Sequence, residues 1–200
     1  MKQYRINEIF FSLQGEGVRS GTANVFVRFS KCNLACSKEG PAGFACDTEF
    51  ESGRDMSPED LLIEIENTGR GCRNVIFTGG EPALQVDAAL IGPLKQNGCH
   101  LSIETNGTLE LPNGLDWVCV SPKSAEHTLR VKGPINELKY VRHKGQAIPQ
   151  PSLKADHYLI SPAFDPHGFN RENLEWCIEL VKENPMWRLS VQQHKTWGVR

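Results

Sequence analysis

Asn74-Val75-Ile76-Phe77-Thr78, then Gly79-Gly80-Glu81-Pro82, a helical stretch over 86–97, Gly98, and Leu101-Ser102-Ile103-Glu104 make the passage that decides the fold. Two β-rich runs flank an apolar helical pattern, and Gly98 suits the left-handed cap that ends such a helix. Strand, helix and strand in that order imply parallel neighbours joined by a crossover. The alternation continues on both sides. Upstream, 25–29 reads as a strand. Ser57-Pro58-Glu59-Asp60 opens a helix with a capping hydroxyl, a proline at the first helical position and acids in the first turn. Leu61, Leu62 and Ile65 form its apolar face, and Gly69 stops it. Downstream, 117–120, 137–141, 157–160 and 188–191 read as strands. A further helix starts near Asn170, carries Leu174, Cys177, Ile178 and Val181, and ends before Pro185. Seven short strands are too few for a closed barrel of ~250 residues. The expected fold is therefore α/β, an open or partial barrel forming a single domain over 1–200, with no repeat or linker.

Composition narrows the function. Twenty-two basic against 24 acidic residues leave a formal charge of −2, with no global pull toward nucleic acid or an anionic membrane. No run approaches the ~18 apolar residues of a membrane span. The first eight residues are charged and lack the apolar stretch of a secretory signal. Together with an odd count of seven cysteines this points to a reducing cytoplasm, where clustered cysteines mean metal or catalysis more often than disulfides. Cys72, Cys99, Cys119 and Cys177 stand singly and read as small buried hydrophobes.

In a parallel α/β sheet, chemistry collects at the C-terminal strand ends. Four unusual segments sit there: the cysteine loop after Phe29, Gly79-Gly80-Glu81-Pro82, Thr105-Asn106-Gly107 and Ser121-Pro122-Lys123. In the first, Cys32, Cys36 and Cys46 fall within fifteen residues. Three thiolates bind either Zn²⁺ with a fourth ligand or an iron–sulfur cluster with one iron open. Cys72 and His100, the next candidates for a fourth ligand, are distant, which favours a [4Fe-4S] cluster over zinc. A zinc-stapled binding module stays open as the non-enzymatic alternative.

Lys31-Cys32-Asn33-Leu34-Ala35-Cys36 and Cys46-Asp47-Thr48 resemble the radical S-adenosylmethionine signature, whose cysteines are spaced C-x3-C-x2-C. Thr78-Gly79-Gly80-Glu81-Pro82 is similar to the glycine-rich segment of that superfamily. More narrowly, Leu13-Gln14-Gly15-Glu16-Gly17, Cys46-Asp47-Thr48, Ser121-Pro122-Lys123 and Gln193-His194-Lys195 resemble the 7-carboxy-7-deazaguanine synthases of queuosine and 7-deazapurine biosynthesis. The likeness runs from about residue 5 to the C-terminus. One departure is plain: nine residues, not two, separate Cys36 from Cys46, and Gly40, Pro41 and Gly43 would let them loop out. The runner-up, a glycyl-radical activating enzyme, shares the cysteines but acts on a protein; Leu13-Gln14-Gly15 and Arg28 favour a small polar substrate.

The resemblance implies a lyase that contracts the ring of 6-carboxy-5,6,7,8-tetrahydropterin to 7-carboxy-7-deazaguanine with loss of ammonia. The cluster would cleave S-adenosylmethionine to a 5′-deoxyadenosyl radical, which takes hydrogen from C6. Cys32, Cys36 and Cys46 would ligate three irons. Asp47, Gly80, Glu81, Ser121, Pro122, Lys123 and Pro162 would hold S-adenosylmethionine, Gly80 by close backbone approach and Glu81 by accepting from the ammonium. Thr48 would bind Mg²⁺. Leu13, Gln14, Gly15, Arg28, Thr78 and Arg200 would bind the pterin, with 194–200 closing over it. Arg28, on a strand among apolar neighbours, needs an anion: the substrate carboxylate or an internal acid. A flavodoxin or ferredoxin reductant and a homodimer are further implications.

Overall fold

Side chains alternate along the strands and sort one sheet into two unlike faces. The computed structural model describes residues 2–34, 36, 46, 48–164 and 170–200. Among them run nine strands: β1 (Tyr4–Leu13), β2 (Ala23–Phe29), β3 (Arg54–Met56), β4 (Asn74–Gly79), β5 (His100–Thr105), β6 (Trp117–Val120), β7 (Glu137–Arg142), β8 (His157–Pro162) and β9 (Trp187–Leu189). Four α-helices are α1 (Pro58–Gly69), α2 (Ala88–Gln96), α3 (Arg171–Glu183) and α4 (Gln193–Trp197). The sheet order is β3-β1-β2-β4-β5-β6-β7-β8-β9. From β2 to β9 every pairing is parallel, whereas β1 runs antiparallel to both β2 and β3. The sheet ends at β3 and β9 without closing, the open barrel that the strand count implies.

Val25, Val27 and Phe29, Val75 and Phe77, Leu101 and Ile103, and Val118 and Val120 join Leu61, Ile65, Leu90 and Leu94 in one core. Each fully buried side chain there is worth roughly 1.5–3 kcal/mol of transfer free energy. Their strand neighbours face the other way. Phe26, Arg28, Thr78, Glu104, Cys119 and Lys139 line an interior cavity.

Two strands lie beyond the seven legible in the sequence. In β1 the pairing register shifts between Ile6 and Glu8. This irregularity breaks the alternation: Tyr4 and Ile6 enter the helix-side core, whereas Phe10 stacks on Phe26 at 5.0 Å and lines the cavity. The period-two signal is therefore split, and Arg5 and Glu8 blur it further. β3 has three residues, Arg54-Asp55-Met56, joined to β1 by main-chain pairing, with no apolar pattern to announce it.

The helix ends follow local chemistry. Ser57 Oγ accepts from the Asp60 amide and Asp87 Oδ1 from the Leu90 amide, so α2 starts at Ala88 rather than at residue 86. Asn170 Oδ1 caps α3 in the same way. Gly69 is the last residue of α1, not its stop; the left-handed turn falls on Arg70 at φ 50°. A Cβ at Gly69 would press on Val25, so glycine serves helix–sheet packing there.

Candidate active site

The loops at the C-terminal strand ends enclose, with the concave sheet face, a cavity of about 420 Å³. Cys32, Cys36, Cys46 and Thr48 line one wall, with Gly79 and Gly80 beside them. Ser121, Lys123 and Pro162 also line the cavity, as do Leu13, Gln14, Gly15, Arg28, Thr78 and Arg200. Of the residues expected at the site, Glu81 and Pro122 do not line the cavity, and Asp47 falls outside the described residues.

The glycine loop is fastened to the cysteine segment by main chain. Gly80 N donates to Phe29 O at 3.0 Å, and Glu81 N to Lys31 O at 2.9 Å. A Cβ on Gly80 would meet the Lys31 carbonyl, and Gly79, at φ +125°, would meet that of Phe29. Both glycines are required by the approach of Lys31-Cys32 before any ligand is considered.

Glu81 corrects an expectation. Its side chain is fully buried, accepting from Thr105 Oγ1 at 2.6 Å, Asn106 N at 2.7 Å and Ala83 N at 3.0 Å. Burial pushes its pKa up, while those three donors act to hold the charge. Glu81 clamps the 105–107 turn against the glycine loop instead of presenting an acceptor to the cavity. That turn is tied onward to the cysteine segment, Asn106 Nδ2 donating to Asn33 Oδ1 at 3.0 Å.

The three thiols fit a cluster. Burial, and next the negative charge of Cys46, pushes the Cys36 thiol up, while the Lys123 ammonium opposes both. Cys32 is raised by burial first and by nearby Glu81 and Cys46 among smaller causes, so the three sulfurs share one electrostatic neighbourhood. Among the described residues no three Cys, His, Asp or Glu side chains gather as donors to a single ion. A cubane takes each thiolate at a separate iron, and Cys32, Cys36 and Cys46 all line the same cavity.

Deeper in the cavity lies a network of charged and polar groups. Lys139 pairs with Glu16, their side chains 9% and 15% exposed. Gln192 Nε2 donates to the other Glu16 oxygen at 2.8 Å. Burial works against the Glu16 carboxylate, but Lys139 and Gln192 hold it down to about 2. Glu104 accepts from Gln14 Nε2 at 2.7 Å and from Thr78 Oγ1 at 3.4 Å. Lys123 donates to Ser121 Oγ at 2.6 Å, and its pKa is lowered by burial and by the like charge of Lys139. Arg28 Nε lies 3.0 Å from Glu8 Oε1 without hydrogen-bond alignment.

Residues 190–200 return to the open side of the sheet. Gln193 N donates to Gly15 O at 2.9 Å, Gly17 N to Ser190 Oγ at 2.9 Å, and Ser12 Oγ to the Arg200 carbonyl at 2.7 Å. His194, Lys195 and Arg200 thereby line the cavity.

The Radical SAM superfamily family model matches residues 27–143. The 7-carboxy-7-deazaguanine synthase of Bradyrhizobium diazoefficiens is 40% identical, covering 98% of this chain and 99% of its own length. That of Bacteroides thetaiotaomicron is also 40% identical, over 98% of both chains. This chain belongs to the 7-carboxy-7-deazaguanine synthases. The crystal structure of QueE from Escherichia coli matches with TM-score 0.70 at 27% identity, covering 96% of this chain and 95% of that one.

Within this radical SAM synthase, sequence reasoning passed over Glu104, Cys119 and Lys139 as cavity residues. All three occupy concave-face positions on predicted strands, so polar residues alternating with apolar ones were the available signal. Cys119, expected as a small buried hydrophobe, is buried, but it faces the cavity rather than the helix-side core.

Proposed function

We propose that this chain converts 6-carboxy-5,6,7,8-tetrahydropterin to 7-carboxy-7-deazaguanine with loss of ammonia, the reaction that its family membership implies. The observation that carries this reading is the meeting of three cysteines, a glycine loop and the side chains of Gln14, Arg28 and Glu104 in one cavity. Cys32, Cys36 and Cys46 would hold a [4Fe-4S] cluster and leave one iron open for S-adenosylmethionine. When bound, that pair supplies a carbon-centred radical able to take hydrogen from C6 of the pterin.

The chain's own residues supply position and isolation. Gly80 gives backbone access to the amino-acid end of S-adenosylmethionine, and Ser121 and Lys123 face its nucleoside. The pyrimidine edge of a pterin offers adjacent N–H donors, which a carboxylate accepts in pairs. Glu104, held by Gln14 and Thr78, presents such a carboxylate. Arg28 takes the substrate carboxylate. Residues 194–200 exclude water from the open side of the barrel, as a radical site requires. Thr48 on the cavity wall would ligate Mg²⁺ with substrate oxygens and water completing the shell. A flavodoxin or ferredoxin reductant, a homodimer and a cytoplasmic location complete the reading. Among the described residues no helix is long and apolar enough to cross a membrane.

The test is anaerobic reconstitution with iron and sulfide, followed by incubation with the carboxytetrahydropterin, S-adenosylmethionine and a chemical reductant. Ammonia release with a new deazapurine absorbance is expected; a reconstituted cluster without either refutes the assignment. Arg28→Lys replaces a bidentate fork with a point charge and should raise KM. Unchanged kinetics would assign Arg28 to its pair with Glu8 alone.

A further inference from the structure

At the edge of the cavity two guanidinium groups share one carboxylate and one ring. Glu8 lies 3.0 Å from Arg28 through Oε1 and 3.1 Å from Arg200 through Oε2. The Arg28 and Arg200 guanidinium carbons sit 5.7 Å and 5.6 Å from the Phe10 ring centroid. Glu8 and Arg28 are direct partners across the β1–β2 ladder, immediately after the register shift that turns β1 toward the cavity. Arg28, Phe10 and Arg200 line the cavity, whereas Glu8 stands behind them.

The Glu8–Arg28 pair is close but poorly aligned. Arg28 Nε is a buried donor with no hydrogen-bond partner among the described residues, despite a carboxylate oxygen 3.0 Å away. A buried donor left in that state costs free energy. Glu8 therefore leaves the Arg28 guanidinium incompletely satisfied, and an anion in the cavity can pair with that group. The three charges sum to +1, which one carboxylate neutralises. Arg200 is 73% exposed as a side chain, so its hold on the barrel rests on Glu8, Phe10 and the Ser12 hydroxyl.

We propose that Glu8 is a positioning residue for the carboxylate subsite: it holds Arg28 and the C-terminal Arg200 on Phe10, and presents both guanidinium groups to the carboxylate of the incoming substrate. This rests on the pterin reading only for the identity of the anion. Because Glu8 touches Arg200, it also couples substrate recognition to closure by the C-terminal segment.

Two measurements test it on the cluster-reconstituted chain. Phenylglyoxal modifies arginine side chains, so its rate of reaction at Arg200, followed by peptide mass mapping, reports the tether without any pterin present. In Glu8→Gln, modification of Arg200 should quicken about five-fold, the equivalent of one partly exposed ion pair, and Glu8→Asp should restore part of the difference. With the carboxytetrahydropterin, Glu8→Gln should raise KM about five-fold at nearly constant kcat, and Arg200→Gln in the otherwise wild-type chain should raise KM as well. Unchanged modification of Arg200 in both variants overturns the tether. A fall in kcat with KM unchanged, or a KM indifferent to Arg200→Gln, overturns the subsite role. Absence of wild-type turnover would sink the pterin reading, and the rate of Arg200 modification would then decide by itself whether Glu8 holds Arg200.

Discussion

Replacing Lys139 by Met leaves the volume of the side chain and removes the charge that lets Glu16 stay ionised inside the barrel. Both partners are buried, so solvent cannot take over the role of the ammonium. A carboxyl held at about 2 instead of 4.5 corresponds to roughly 3 kcal/mol of stability at neutral pH. Breaking a buried pair from one side costs about 3–5 kcal/mol in general, which agrees. For a chain of this length the midpoint of thermal unfolding should fall by roughly 6–20 °C. Circular dichroism melts of wild type and Lys139→Met at pH 7, under nitrogen, measure it. The sign of the pH dependence is fixed. The depressed wild-type carboxyl contributes fully above about 4.5, and the contribution is lost as pH falls toward 2. In the variant the burial that opposes ionisation loses its largest opponent and keeps only Gln192 and His194 against it, so Glu16 rises and that penalty fades as pH falls. The gap between the two proteins must therefore narrow from pH 7 to pH 4. Adding Glu16→Gln to Lys139→Met should recover most of the loss. A shift below 2 °C at pH 7, or a gap that does not narrow, refutes the reasoning.

Cys46→Ala should abolish the brown absorbance of the reconstituted protein and its ~4 iron per chain, while Cys72→Ala, outside the cavity, should retain both; full iron content in Cys46→Ala would exclude that thiol from the ligand set. Gly80→Ala forces a Cβ onto the Lys31 carbonyl, so iron loading should drop even though no ligand is removed, and normal loading would show that the loop yields freely.

Much was legible in the sequence because it is set by neighbours along the chain. Alternating apolar residues, capping side chains at Ser57 and Asn170 and the left-handed Gly98 each act within a few residues, and these specify a parallel α/β sheet. Loops at the same strand ends must then converge, which brought Cys32, Gly80, Ser121 and Lys123 to one cavity. Tertiary structure alone decided the rest. The irregularity in β1 aims Glu8 at Arg28 and Phe10 at Phe26, and it exists through pairing with a strand across the sheet. Glu81 became a buried clamp because Thr105 and Asn106, 24 and 25 residues away, supply its donors. Lys139 found Glu16 across 123 residues, and no local pattern encodes such a pair. Burying a charge is favourable only when the fold brings its partner, and that pairing is a property of three-dimensional contact rather than of sequence order.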